Sequence, residues 1–92
     1  MAGFTLQRPF TSNSDDVRST ARQLAEKLCA DHPVKADWRS EDECLLSGMG
    51  VDGRVHIGEG TLTIDVKLGL LTRMFEDRMK REIEHYLDKY LI

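Results

Sequence analysis

The fold is decided by GVDGR at residues 50–54, TLTIDVK at residues 61–67 and LGLL at residues 68–71. The middle stretch alternates strictly between polar and apolar side chains, which is the period of a β-strand with one buried face. After Gly69 the apolar residues recur at helical spacing, at Phe75, Met79, Ile83, Tyr86 and Tyr90. We therefore predict that the last strand ends at Gly69, where glycine adopts a positive φ before a long helix begins.

Further strands are predicted upstream of this stretch. Residues 3–8 alternate and form a strand that Pro9 either ends or pushes to an edge of the sheet. Residues 34–39 and 44–47 form a hairpin, because the polar residues 40–42 separate two alternating runs. The next turn is ambiguous: Asp52-Gly53 is a hairpin signal, but residues 47–50 could turn the chain earlier. We favour a turn at residues 49–53, followed by a second turn at residues 58–60.

Two helices complete the pattern. The first covers residues 14–31, after the capping residues 12–16 and before His32-Pro33, which ends it. The second runs from Leu71 to the end of the chain and is about 30 Å long. The predicted fold is a single α+β domain over residues 1–92, a two-layer sandwich of order β-α-β-β-β-β-α. It has a mainly antiparallel sheet of about five strands, with both helices on one face and the long C-terminal helix across the sheet.

Composition excludes several functions. The 92 residues carry 13 basic and 16 acidic side chains, a net charge of -3, and so lack the basic surface that nucleic-acid binding requires. No stretch approaches the roughly 18 apolar residues of a transmembrane segment, and no targeting signal precedes the first strand. We expect a cytoplasmic protein. Cys29 and Cys44 are expected to be reduced, because they belong to no metal-spaced or redox motif. No catalytic, cofactor or metal motif is found, so we expect no enzyme activity, cofactor or metal.

Two groups of polar residues are candidate sites. Asp52, Arg54 and His56, with Asp65 and Lys67 on the next strand, share the open face of the sheet. Acid–base chemistry needs a pocket, so we interpret them mainly as a solvated face. Glu82 is different, because its helical angle places a carboxylate within the apolar stripe of the second helix. Either Glu82 pairs with Arg78 one turn earlier, or it points into a cleft between helix and sheet, where it would orient a ligand.

Apolar residues supply the other candidates. Trp38 is either a core anchor or, with Phe75, Met79 and Glu82, part of a ligand site. Leu70, Met74 and Leu91 flank the main stripe of the second helix together with Leu87, so its apolar arc is wider than one sheet contact requires. This indicates either a deep core or dimer contact, or a helix edge that touches an apolar surface. His32 and His85 are interpreted as ordinary surface histidines.

The chain resembles the bacterial polyhydroxyalkanoic acid system proteins, whose genes are associated with polyester-granule biosynthesis. The resemblance covers nearly the whole chain and lies in Arg8, the helix residues Ala21, Leu24, Ala25 and Leu28, Trp38, GVDGR at 50–54, KLGLL at 67–71, Phe75, Met79, Glu82, Ile83 and YLD at 86–88. The family often has a histidine soon after the first arginine, where this chain has Pro9-Phe10-Thr11. The order of elements also looks like a shortened helix-grip fold, in which apolar ligands bind between a long helix and a curved sheet.

The resemblance implies a cytoplasmic protein that is linked to polyhydroxyalkanoate metabolism, without an established enzymatic activity or known site residues. The first hypothesis is a non-enzymatic accessory protein of polyhydroxyalkanoate metabolism that contacts the granule surface, granule proteins or, as a homodimer, its own copies. The alternative is a small carrier of an apolar acyl ligand held between the second helix and the sheet. A cavity of about 300 Å³ or more would favour the alternative. An enzyme that uses the open sheet face is the third hypothesis.

Overall fold

A computed structural model describes residues 2–11, 13–48, 50–69, 74 and 76–91. The elements follow the predicted order β-α-β-β-β-β-α: β1 Ala2–Pro9, α1 Ser14–Asp31, β2 Val34–Ser40, β3 Glu43–Gly48, β4 Val51–Ile57, β5 Thr61–Leu68 and α2 Glu76–Tyr90. Within this part of the chain, the α+β class and the five-stranded sheet are confirmed.

The five strands form one antiparallel sheet of order β1-β5-β4-β3-β2. Strands β2 to β5 are a meander. Strand β1 lies beside β5 and pairs with it from Ala2↔Leu68 to Pro9↔Thr61, and α1 connects β1 to β2 at the opposite edge of the sheet. Pro9 is tolerated within β1 because β1 is an edge strand, which agrees with the second of the two interpretations of this proline. The position of β1 beside β5 could not be read from the local pattern.

The turn between β3 and β4 differs from the favoured prediction. Gly48 pairs with Val51, so residues 49–50 connect the strands, and Asp52-Gly53 lies inside β4. Gly50 has a φ of 75° and supplies the backbone conformation that the two-residue connection requires. Gly53 faces the core, where an added Cβ would lie 3.3 Å from Cβ of Leu46. Glycine at position 53 therefore suits the close packing against Leu46 within the sheet. The predicted turn at residues 49–53 was too long, because the connection consists of residues 49–50.

Gly69 also differs from its prediction. It follows the last residue of β5, as expected, but it does not adopt a positive φ. Its N–H donates a hydrogen bond of 2.7 Å to the carbonyl oxygen of Gly50. An added Cβ would meet that oxygen at 3.5 Å, an ordinary contact distance. The expectation that the backbone at Gly69 requires glycine was therefore wrong.

Helix α1 has the predicted bounds. The Asn13 side chain caps its first turn by accepting a hydrogen bond of 2.9 Å from the Asp16 N–H. Farther along, Arg18 donates to Asp42 over 2.8 Å, which ties the start of the helix to the β2–β3 turn. This hydrogen bond lowers the pKa of the Asp42 carboxyl below its ordinary value. One face of the helix is buried, through Val17, Ala21, Leu24, Ala25 and Leu28.

Helix α2 is described over 15 residues, a length of about 22 Å. The predicted start at Leu71 lies outside the described residues. Its buried positions are Met79, Ile83 and Leu87, so Leu87 belongs to the core rather than to its flank. Tyr90, predicted in the buried stripe, is 48% exposed. Tyr90 lies in the last turn of α2, and its ring packs against the ring of Tyr86, with 4.6 Å between the centroids, instead of against the core.

One apolar core joins the sheet to both helices. The buried side chains of α1, α2 and all five strands form a single cluster, which includes Leu62, Ile64, Val66 and Leu68 of β5. Arg8, on the same face of edge strand β1, binds α2 from outside the cluster through Asp88 at 2.7 Å and Glu84 at 3.6 Å. Both helices therefore cover one face of the sheet, as predicted.

The first prediction tests this arrangement. Ile83→Ala should lower the free energy of unfolding by about 2 to 5 kcal/mol, because Ile83 is fully buried between α2 and the sheet. Met74→Ala is the matched control, since Met74 is 78% exposed and should change stability by less than about 0.5 kcal/mol. Equal losses in urea denaturation would contradict the packing of α2. The companion position Phe75, which the sequence also predicts to be buried, lies outside the described residues.

Candidate functional site: a groove between the two helices

A groove of about 870 Å³ opens between the C-terminal end of α1 and the side of α2. It lies at the end of the sheet where β4 begins and β5 ends, and we call it the α1–α2 groove. Buried apolar side chains form its floor, and charged side chains form its rim. Among the described residues, the lining consists of Asp31, His32, Pro33, Val51, Leu68, Arg78, Met79, Arg81, Glu82 and His85.

The groove follows from how the helices share the sheet. They run side by side in opposite directions, since Tyr86 donates a hydrogen bond to Gln23 at 3.1 Å and Glu82 meets Lys27 at 3.6 Å. Helix α1 ends at Asp31 because Pro33 disfavours a helical conformation at His32. The chain then enters β2, while α2 continues alongside. The ends of α1, β4 and β5 therefore leave one side of α2 partly uncovered.

A half-buried polar network sits on the rim. Nε2 of His32 lies 3.0 Å from Oε2 of Glu82, with 15% and 20% of these side chains exposed. Lys27 adds ion pairs to Asp31 at 3.0 Å and to Glu82 at 3.6 Å. The pKa of Lys27 is raised, chiefly because its ammonium donates a hydrogen bond to Asp31. The pKa of Asp31 is lowered by hydrogen bonding with Glu82 and then with Lys27. The network holds Glu82 at the groove.

Glu82 thus has different partners from those expected. The predicted pair with Arg78 is absent among the described residues, where Glu82 contacts His32 and Lys27. The reason is the packing of the helices, because α1 brings these groups to the flank of α2 that carries Glu82. Its position in a cleft agrees with the other interpretation of its place in the stripe. A role in orienting a ligand stays a prediction.

The remaining predicted site residues lie in different parts of the structure. Met79 is 4% exposed and forms part of the groove floor. Trp38 lies elsewhere: it packs partly against the core from edge strand β2, with the Arg22 guanidinium 4.6 Å from its ring centroid. Met74 is exposed, whereas Leu91 is half-buried against the core. Phe75 and Leu70 lie outside the described residues.

Both His32 and His85, predicted to be ordinary surface histidines, line the groove. His85 is exposed, as predicted, whereas the side chain of His32 is only 15% exposed. The local signal for His32 was misleading, because a histidine before proline at a helix end is usually explained as a stop. The useful signal was Glu82, a carboxylate on an apolar stripe, which requires a partner from another element. Only the packing of α1 against α2 identifies that partner.

The open face of the sheet carries a second, shallower polar group. Arg54 forms an ion pair with Glu43, His56 lies 3.7 Å from the same carboxylate, and the Thr5 hydroxyl donates to Asp65 at 3.0 Å. A depression of about 190 Å³ lies among Thr5, Arg54, His56, Thr63 and Asp65. Arg54 and His56 are about half exposed. This geometry is that of a solvated face with local ion pairs.

Metal binding and membrane spanning find no support in the described residues. No group of three or more His, Cys, Asp or Glu side chains in residues 2–11, 13–48, 50–69, 74 and 76–91 could hold a metal ion. Over the same part of the chain, neither helix combines the length and the apolar character needed to cross a bilayer.

The fold and the groove define a small α+β sandwich with a cleft between two helices on one sheet face. The chain belongs to the family described as "Putative polyhydroxyalkanoic acid system protein", whose family model matches residues 4–91. This match confirms the resemblance and links the protein to the polyhydroxyalkanoate system. A search of curated proteins and a search of solved structures each found no match.

The second prediction concerns the network on the rim. A double-mutant cycle of His32→Ala and Glu82→Ala should give a coupling energy of about 0.5 to 1.5 kcal/mol at neutral pH, because the pair is largely shielded from water. The matched cycle of Lys27→Ala and Glu82→Ala should give less than about 0.5 kcal/mol, because Lys27 is 43% exposed and its contact is longer. Urea denaturation measures both. A larger coupling for the lysine pair would contradict the central place of His32.

Proposed function

We propose that this protein is a non-enzymatic accessory protein of the polyhydroxyalkanoate system that binds an acyl chain in the α1–α2 groove. The observation that carries the proposal is the groove itself, about 870 Å³ in volume with a floor of Val51, Leu68 and Met79. The family supplies the chemical context, a polyester of hydroxyalkanoic acids. The ligand would be a hydroxyalkanoic acid or the end of a polyester chain, at the granule in the cytoplasm.

The size and lining of the groove support an acyl ligand. Small-molecule sites have volumes of about 300 to 1,000 Å³ and combine apolar walls with a few polar groups that fix orientation. The α1–α2 groove exceeds the roughly 300 Å³ that would favour a carrier over a purely surface-acting protein. An alkyl tail would cover the apolar floor, and the hydroxyl group of a hydroxyalkanoic acid would meet the His32–Glu82 pair on the rim.

Binding without catalysis is supported by the groups around the groove. Its lining, in the part of the chain that the structure describes, contains no Ser, Thr or Cys side chain that could act as a nucleophile. Cys44 is buried in β3, and this burial raises the pKa of its thiol, which disfavours the reactive thiolate. The His32–Glu82 pair would then serve as a hydrogen-bonding anchor.

The third prediction is that 3-hydroxyoctanoic acid binds the purified protein in this groove. In a methyl NMR titration, the signals of Met79, Val51 and Leu68 should shift, because these side chains form the floor. The methyl signals of Leu24, buried in α1 but absent from the lining, are the internal control and should stay unchanged. The fluorescence of Trp38, the single tryptophan, should also be unaffected, since it lies outside the groove.

Two kinds of outcome would contradict this proposal. Shifts confined to residues outside the floor, or no saturable shift, would remove the groove as the binding site. Turnover of a hydroxyacyl thioester or polyester oligomer, lost in His32→Ala, would show that the His32–Glu82 pair is an acid–base catalyst. Turnover lost in His56→Ala instead would identify the open sheet face as an active site.

A second function is favoured by the exposure of Met74. This side chain is 78% exposed just before α2, where an apolar group is available for the granule surface, a granule protein or a second copy of the chain. Leu70 and Leu91 were predicted to share this contact. Leu91 already packs partly against the core, so Met74 is the described residue that tests the surface best.

The fourth prediction follows. Met74→Gln should leave the free energy of unfolding within about 0.5 kcal/mol of wild type, because the side chain is exposed. It should also reduce the amount of protein that floats with granules from polyester-producing cells. Ser19→Gln, at an exposed position on α1, is the matched control. Equal flotation of the Met74 variant and the control would reject Met74 as a granule contact. Sedimentation of the purified wild type and the Met74 variant would show whether the change disrupts a dimer.

A further inference from the structure

We infer that the α1–α2 groove selects acyl ligands with a free carboxylate, and that Arg78 and Arg81 bind this acid end. The inference rests on the proposed function and specifies its ligand: an acid or a chain end with a free carboxyl group, in contrast to an internal, neutral ester segment.

Arginines elsewhere in the described structure already have partners. Four of them form ion pairs with carboxylates: Arg8 with Asp88 and Glu84, Arg18 with Asp42, Arg39 with Asp37, and Arg54 with Glu43. Arg22 lies over the ring of Trp38. Arg78 and Arg81 differ, because neither forms an ion pair, a side-chain hydrogen bond or a ring contact with any described residue. Both line the groove. Their guanidinium groups are thus available to a ligand.

The charges of the groove that lack a described partner also favour an anion. Its two carboxylates, Asp31 and Glu82, are held by Lys27 and His32. Among the described lining residues, Arg78 and Arg81 contribute +2 and the two carboxylates -2, so the lining is formally neutral with neutral histidines, whereas the whole chain carries -3. The charges without a described partner are those of Arg78 and Arg81, which are positive and lie on α2. His85, also on that side, would add to it when protonated.

The spacing of the two arginines suits a carboxylate. Residues three apart on a helix lie on the same side, so Arg78 and Arg81 can approach one group together. A guanidinium binds a carboxylate through two parallel hydrogen bonds, a geometry that an ester cannot match with its uncharged oxygens. Met79, between them in sequence, belongs to the apolar floor. The acid end and the alkyl tail of one ligand would thus be bound by the same turn of α2.

The test compares 3-hydroxyoctanoic acid with its methyl ester by isothermal titration calorimetry at neutral pH. Wild-type protein should bind the acid about tenfold more tightly, the size expected for hydrogen bonds to a charged group. The Arg78→Gln/Arg81→Gln variant should lose this preference and bind the ester with unchanged affinity. The matched control, Lys80→Gln/Lys89→Gln, removes the same charge from α2 outside the groove lining and should keep the preference.

The outcomes separate this inference from the proposed function. Equal affinity of wild-type protein for acid and ester would overturn the carboxylate selection while leaving the groove as an acyl site. The absence of binding for both compounds would overturn the proposed function and this inference together. An equal loss of preference in the two double variants would show a general effect of charge and would reject Arg78 and Arg81 as the specific contacts. Circular dichroism of each variant verifies that its fold is retained.

Discussion

The burial of one face of β5 is the constraint on which the rest of the structure depends. Leu62, Ile64, Val66 and Leu68 are at most 3% exposed, and β5 is paired on both sides, with β1 and with β4. An alternating strand has only one such face, so every apolar side chain of its neighbours must point the same way. Both helices then have to cover the same side of the sheet. The other side stays polar and open to water.

Two helices on one sheet face necessarily meet along a seam. Polar residues at this seam are removed partly from water, and they are stable there only if they find partners across it. Glu82 finds His32 and Lys27. Where α1 ends before Pro33 and α2 continues, the seam widens into the α1–α2 groove. The same packing that forms the core therefore places a half-buried polar pair beside an apolar floor.

Charged side chains are paired differently in the groove and on the open face of the sheet. On the sheet face, Arg54 and Glu43 satisfy each other on the surface, and such exposed pairs have little effect on stability. In the groove, the carboxylates are satisfied by α1, while the arginines of α2 have no described partner. Arg54 and Glu43 therefore neutralise each other without a ligand. The proposed binding of an anionic, partly apolar molecule rests on these cations of α2, which lack a described partner and lie beside an apolar floor.

The sequence by itself determined the order of elements, the bounds of α1 and the apolar face of each strand, and Pro9 allowed an edge position for β1. These features depend on local periods, proline and caps, which neighbouring residues specify. It also singled out Glu82, because a carboxylate on an apolar stripe conflicts with the local pattern. The tertiary structure alone decided that β1 pairs with β5, that the β3–β4 turn needs only residues 49–50, and that His32 is the partner of Glu82. The physical reason is distance along the chain: Glu82 and His32 are 50 residues apart, and only the packing of α1 beside α2 on one buried sheet face brings them together.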